Sequence, residues 1–357
     1  MAKGKESNNK GKNFKNISKI LIIFVILGFV FFSGCINEQE QKENLNLKVL
    51  HAGSLTKPLE EVETQFELKY NFVDVQREAA GSVKTVRKIT ELNKDADVLV
   101  SADFSLIPAM MYSDYANFTI KFARNQIVLA YTEKSKYADE INAENWYEIL
   151  RRDDVKFGFS NPNDDPCGYR SIMVMQLAEF KYNDSSIFDD LVLTNTKIKM
   201  NFNNNSYTAV VPNSEDIAPN TDQVMIRSME VELISALESR NIDYYFIYGS
   251  VAVQHGHEFV ELPPEINLGS EEYAETYRRV SVNLSSGSVS TGKPIIYGIT
   301  IPKTVQHKSE AISFVKTVIG EEGQKIFGDM GQQPIVPAIV DNIENMPPEL
   351  RDLVVEN

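Results

Sequence analysis

The sequence predicts an α/β protein of two lobes joined by two crossing strands, and three observations carry that reading. Strand-like runs are repeatedly followed by a short polar turn and a run of helical spacing, the grammar of parallel βα units. A loop rich in proline and asparagine, Ser160-Asn161-Pro162-Asn163-Asp164-Asp165-Pro166-Cys167-Gly168-Tyr169-Arg170-Ser171, restarts that grammar midway. An apolar strand from Ile295 to Ile301 then returns once the second series is complete. A chain that leaves one lobe, completes another and comes back forms a clamshell, with ligand space between the lobes and hinge closure as its motion. The predicted lobes are residues 46–130 with 296–357, and residues 131–295.

The N-terminus reads as an export signal. The first fifteen residues hold five lysines (Lys3, Lys5, Lys10, Lys12, Lys15), and an apolar run from Ile20 to Phe32 follows. Its 13 residues fall short of the roughly 20 that span a bilayer and suit a signal-peptide core. Phe32-Ser33-Gly34-Cys35 resembles a lipobox, in which Cys35 becomes the lipid-bearing first residue after cleavage. Residues 1–35 are therefore expected to be a signal peptide and 36–45 a polar tether. A retained, tilted anchor that includes Ile17 to Phe32 is the alternative. Residues 1–35 hold six lysines and one glutamate, so their loss takes the formal charge from −14 to −19. So acidic a chain disfavours nucleic acid as a partner, and an anionic solute would have to be held by local dipoles rather than by overall charge. Cys167 is the only other cysteine, which leaves no structural disulfide and places stability in the core.

From Leu47 the elements follow in order. Leu47 to Ala52 alternates as a strand, Gly53-Ser54 breaks it, and Leu55, Leu59, Val62 and Phe66 recur at helical spacing. Phe72 to Gln76, the turn Ala80-Gly81-Ser82, and Val83, Val86, Ile89 and Leu92 repeat the pattern. Parallel strands share one C-terminal edge, so both Gly-Ser turns should face the same crevice. Glycine lets a ligand approach the backbone, and serine can cap the helix or turn its hydroxyl outward. Ala96 to Ser101 is a third strand, with a short helix suggested by Ile107, Met110 and Met111. Gln126 to Tyr131 is a fourth, read as the first crossing. Trp146 to Leu150 is helical and Val155 to Ser160 extended, leading into the central loop. Residues 181–213 are polar and asparagine-rich, an irregular surface excursion. Ser228 is expected to cap a helix whose first turn carries Glu230. Asp243 to Tyr248 reads as a buried strand that ends at Gly249-Ser250, and helices over Ala311 to Ile319 and Gln324 to Met330 follow the returning strand.

The central loop ends where a helix begins, and a helix N-terminus is a natural seat for an anion. Asp164 and Asp165 stand there instead; one aspartate can serve simply as the cap, and first-turn Glu230 can simply balance a helix dipole. Cys167 near a helix N-terminus would have a lowered pKa, which admits an extracellular cysteine-dependent enzyme, although no motif assigns it a histidine. His255-Gly256-His257 is a pair usually found solvated.

On these residues the chain resembles the solute-binding proteins of archaeal-type tungstate/molybdate ABC importers. The likeness runs from about Leu47 to Ala338. It rests on His51-Ala52-Gly53-Ser54-Leu55, Glu78-Ala79-Ala80-Gly81-Ser82, Asp164 to Arg170 and Asp243 to Val251. It implies the type II periplasmic-binding-protein fold, no enzyme activity, no cofactor, and a monomer that hands its oxyanion to a membrane permease driven by a cytoplasmic ATPase. By this likeness the ligand falls on Gly53, Ser54 and Ser82 of one lobe, and on Asp165, Pro166, Cys167, Glu230 and Tyr248 of the other. Ser228 and Met229 replace the proline and lysine common in that family before the glutamate. Hydroxyls, the backbone at Cys167 and the Tyr248 phenol would donate to oxyanion oxygens. Asp165 and Glu230 would repel a sulfate, yet suit a high-valent metal centre that accepts electron pairs from hard oxygens. The same fold also serves receptors for sulfate, ferric ion or small organic anions.

Overall fold

The computed structural model describes Met1 and residues 45–203 and 205–356. Residues 2–44, and with them Cys35 and nearly all of the expected signal peptide and tether, lie outside the described residues; Leu45, expected to close the tether, instead opens the first strand. Among those described, no helix is long and apolar enough to cross a membrane.

The first lobe grows from β1 (Leu45–Ala52), β2 (Val73–Ala80) and β3 (Val98–Ser101). All three are parallel, with β1 central. They form where alternating and apolar runs are cut by Gly-Ser turns, and the helices Thr56–Lys69 and Ser82–Thr90 cover them through Leu59, Val62, Phe66, Val83, Val86 and Ile89. β4 (Ile120–Asn125) and β5 (Ile127–Tyr131) follow with only Gln126 between them.

The second lobe holds β6 (Phe157–Ser160), then β7 (Lys199–Asn203) and β8 (Ser206–Val210), β9 (Val224–Arg227), β10 (Tyr244–Tyr248), β11 (Glu258–Val260), β12 (Val280–Asn283) and β13 (Val289–Thr291). The chain returns through β14 (Ile295–Thr300) and ends with β15 (Gln333–Val340) and β16 (Val354–Glu356). Three sheets result, ordered β16-β15-β4-β14-β3-β1-β2, β11-β5-β10-β6-β9 and β13-β12-β8-β7.

Two expectations are corrected. β5 pairs with β10 and β11 in the second lobe, while β4, which hydrophobic patterning did not single out, pairs with β14 and β15 in the first. The first crossing therefore falls at Gln126, before β5 rather than after it. The second lies in Gly292 to Pro294, between β13 and β14. The asparagine-rich stretch is not irregular: β7 and β8 pair antiparallel, and β8 joins β12 in the third sheet. Its polarity follows from β7, whose residues are mostly exposed.

The helix Pro166–Tyr182 packs against β5, β6, β10 and β12, between the second and third sheets. Its residues from Pro166 to Glu179 are all buried. A helix covered on every side cannot show a clean amphipathic stripe, and the covering also encloses the polar residues of its first turns.

Candidate functional site

Each lobe presents three strand ends to the same cleft. In the first, β1, β2 and β3 run out into Gly53-Ser54, Gly81-Ser82 and Ala102-Asp103. In the second, β6, β9 and β10 are parallel, and their continuations carry Asp165, Glu230 and Tyr248. Open α/β sheets place ligands outside the carboxyl ends of their strands, and here two such edges face each other. The approach is close. A Cβ on Gly81 would sit 2.2 Å from the backbone oxygen of Asp164 and 3.0 Å from Cβ of Asp165, so only glycine lets these segments touch. A Cβ on Gly53 would lie 3.4 Å from both carboxylate oxygens of Glu230.

Asp165 has the extended backbone of an N-cap, and its Oδ1 accepts from the Cys167 amide at 3.1 Å. Its Oδ2 accepts from the Glu230 amide at 2.9 Å. One carboxylate thereby serves the first turns of two helices, with its charge favoured by both dipoles. Ser228 is not the expected cap: Met229 holds that position, and the Ser228 hydroxyl donates to Asp164 Oδ2 at 3.2 Å. Nor do Ser54 and Ser82 cap their helices, where Ala52 and Gly81 hold the cap positions.

Glu230 is 1% exposed, and neither of its carboxylate oxygens hydrogen-bonds to any described residue. Burial first, and the Asp165 charge second, push its pKa well above the carboxylate range, opposed in part by its own amide and that of Ser54. A buried polar group without a partner is costly and marks a position that structure alone does not satisfy. Cys167 departs from expectation twice. Its amide is taken by Asp165, and its thiol, fully buried, is pushed up by burial and by the charges of Asp165 and Glu230.

Hydrogen bonds tie the remaining residues in place. The Ser82 hydroxyl oxygen accepts from the Ala102 amide at 2.9 Å, which leaves its proton free to donate. The Tyr248 hydroxyl accepts from Arg170 Nη1 at 2.7 Å and keeps its proton likewise. Tyr297 on β14 reaches the Ser54 hydroxyl at 3.3 Å, and Asn125, beside the first crossing, donates to Tyr297 and Ser250 at 2.7 Å each. The eight residues expected from the sequence thus gather at one place, with Pro166 opening the helix behind Asp165.

Sequence reasoning assigned no role to Arg170, Asp103, Asn125 or Tyr297. Arg170, in a helix that is otherwise apolar at its start, was a legible signal of a buried charge. Asp103 stands after β3 where glycine and serine stand after β1 and β2. The histidine pair is not solvated as expected: His257 is largely buried and its Nδ1 meets the Tyr245 hydroxyl at 2.9 Å. Among the described residues no group of three or more His, Cys, Asp or Glu could hold a metal ion. A surface depression of about 720 Å³ is lined by Arg124, Glu261 and Asn267 among others, and by none of the eight residues expected from the sequence.

Comparison with known proteins bears on the family and the fold. The profile of the bacterial extracellular solute-binding protein family matches residues 47–333. An uncharacterised solute-binding protein of Methanococcus maripaludis strain C5 is 48% identical over 347 residues, covering 95% of this chain and 99% of that protein. The molybdate/tungstate-binding protein WtpA of Thermococcus kodakarensis is 42% identical over 351 residues, covering 94% and 96%. In structure the chain is similar to the periplasmic molybdate-binding protein of Azotobacter vinelandii, with a TM-score of 0.55 at 17% identity over 80% of this chain and 98% of that one. That likeness shows the two-lobed binding-protein fold.

Proposed function

The chain belongs to the extracellular solute-binding protein family, and we propose that it captures tungstate or molybdate between its lobes and delivers it to the permease of an ABC importer. One observation carries the choice of ligand: two carboxylates, Asp165 and Glu230, stand together in a buried cleft, and the second has no partner. Donors alone would accept any tetrahedral dianion. A carboxylate pair is useful only to a ligand whose central atom takes electron pairs, as tungsten(VI) and molybdenum(VI) do and the sulfur of sulfate does not.

The chemistry divides between the lobes. Ser54 and Ser82 turn hydroxyls toward the oxo groups from one side, and Tyr248 does so from the other. Asp165 and Glu230 each supply a carboxylate oxygen to the metal centre, taking it from four oxygens towards six. Cys167 acts through Asp165, whose oxygen its amide holds. The raised pKa of Glu230 weakens the simple charge repulsion expected against sulfate. Discrimination then rests on ligation: a metal centre can accept an electron pair from the Glu230 carboxyl, and the sulfur of sulfate cannot.

This donor set also argues against rival ligands and reactions. Two carboxylates do not complete the coordination of a bare ferric ion, whereas an oxyanion brings four oxygens of its own. The raised Cys167 thiol is the reverse of what a cysteine nucleophile needs. Cleavage before Cys35 and lipidation there would hold the protein at the outer face of the membrane beside its permease. Elemental analysis of the purified protein for tungsten and molybdenum, with sulfate as the competing anion, tests the reading. Stoichiometric metal is expected, and binding of sulfate in its place would overturn it.

A further inference from the structure

We infer that Asp103 is a positioning residue that clasps the two lobes together behind the ligand site and sets how long a captured anion stays. Asp103 leaves β3 in the first lobe and is 1% exposed. Three groups from outside that lobe's sheet edge converge on its carboxylate. The Tyr169 hydroxyl donates to Oδ2 at 2.7 Å. Arg170 Nη2 lies 3.5 Å from the same oxygen, and Lys293 Nζ lies 3.1 Å from Oδ1. Tyr169 and Arg170 belong to the helix Pro166–Tyr182 of the second lobe, and Lys293 lies in the second crossing. Within its own lobe, the amide and hydroxyl of Ser105 hold Oδ1 at 2.9 and 2.8 Å.

The clasp is joined to the ligand residues. Arg170 Nη1 donates at 2.7 Å both to the Ala102 backbone oxygen of the first lobe and to the Tyr248 hydroxyl of the second. The amide of that same Ala102 donates to Ser82. Ser82 and Tyr248, one from each lobe, are thereby held in register through two residues that need not touch the anion. Burial by itself would raise the Asp103 pKa; Lys293 and Arg170, with the Tyr169 and Ser105 hydrogen bonds, more than offset this and hold it ionised. Charge-assisted hydrogen bonds in a water-excluded place are strong when complete and costly when half broken. The clasp is complete only when the lobes are together, so parting them leaves the Asp103 carboxylate with Ser105 but without Tyr169 and Arg170, and leaves Arg170 with Tyr248 but without Asp103 and the Ala102 oxygen. Until water reaches them, that cost adds to the barrier for release rather than to the encounter.

The inference rests on capture between the lobes, and not on which anion is captured. Stopped-flow intrinsic fluorescence with tungstate, on the full-length protein, separates the two rates. Asp103→Asn should raise the dissociation rate at least about tenfold and change the association rate by less than about threefold. Tyr169→Phe, which removes one donor and little volume, should raise dissociation about threefold and decides the matter if the first variant does not fold. A purely structural role would lower thermal stability without that split between rates. Small-angle scattering without added anion gives a reading independent of the ligand: the Asp103→Asn radius should exceed the parent's. Unchanged dissociation in both variants, with an unchanged radius, would overturn the clasp. If the parent binds no tungstate or molybdate, the ligand assignment fails while the scattering comparison still judges the clasp.

Discussion

Asp165 and Glu230 are both acids at helix starts, yet they live in different electrostatic worlds. Asp165 receives two amide hydrogen bonds, whereas Glu230 receives none that meets hydrogen-bond geometry. Replacing them together by Asn and Gln keeps their size and removes their capacity to ligate. Tungstate affinity should then fall by at least about 2 kcal/mol, roughly thirtyfold, and preference over sulfate should shrink; calorimetry with each anion measures both. A double variant that binds as tightly as the parent would make these residues ordinary caps. A second residue-scale prediction concerns His51, buried in β1 with Nδ1 2.8 Å from the Ala52 oxygen. Burial chiefly, against the Ala52 hydrogen bond, lowers its pKa from 6.5 to about 4. The unfolded chain takes up this proton as pH falls through 6.5, and the folded protein resists until about 4. The stability contribution is therefore full above pH 6.5 and declines by about 3 kcal/mol towards pH 4. Denaturation at a series of pH values should show that slope, and His51→Gln should flatten it whatever its effect at neutral pH.

The turns between strand and helix are where elements become a site. Gly81 is the sharpest case, because its missing side chain is what lets the turn after β2 meet the loop after β6. A methyl group there would stand 2.2 Å from a backbone oxygen, a contact that only movement of the opposing lobe could relieve. Gly81→Ala should leave each lobe folded, with a melting temperature within a few degrees of the parent, and should weaken tungstate at least about tenfold, or 1.4 kcal/mol. Thermal melts and calorimetry on one preparation separate the two effects, and undiminished affinity would show that the lobes need not approach so closely. The helix Pro166–Tyr182 matters in the same way. One end carries Asp165 to the cleft, and its first turns supply Tyr169 and Arg170 to the clasp, so a single rigid element ties ligand to closure.

For the whole molecule, the described fold opens with the strand that begins at Leu45. A chain that starts at Leu45 should fold and bind tungstate with the parent's affinity, which calorimetry checks directly; loss of binding would give the N-terminal segment a part in the site. Cys35→Ser should release the protein from the membrane fraction with its solute affinity intact. A variant that stays membrane-bound with its N-terminus uncleaved would favour the retained anchor.

By itself the sequence determined the strand–turn–helix repeats and the return strand, which are written in local period and in short turns that the chain displays without being folded. The eight residues now gathered in the cleft came from the resemblance to a known family, which short runs of glycine, serine and aspartate carry. The sequence missed β4 and placed the first crossing late, because six residues with mixed polarity, Ile120–Asn125, carry little period of their own and become a strand by pairing with β14 and β15. It read β7 as irregular because an exposed strand needs no apolar alternation, and it missed β8, where Tyr207 and Ala209 alternate inward over only five residues. What only the tertiary structure decided is the state of the groups. Asp165 meets the Glu230 amide 65 residues away, and Tyr169 meets Asp103 across 66. Whether a carboxyl is charged, satisfied or left without a partner depends on what burial brings against it. No spacing along the chain records that Glu230 would be enclosed without a hydrogen bond while Asp103 would be enclosed among cations.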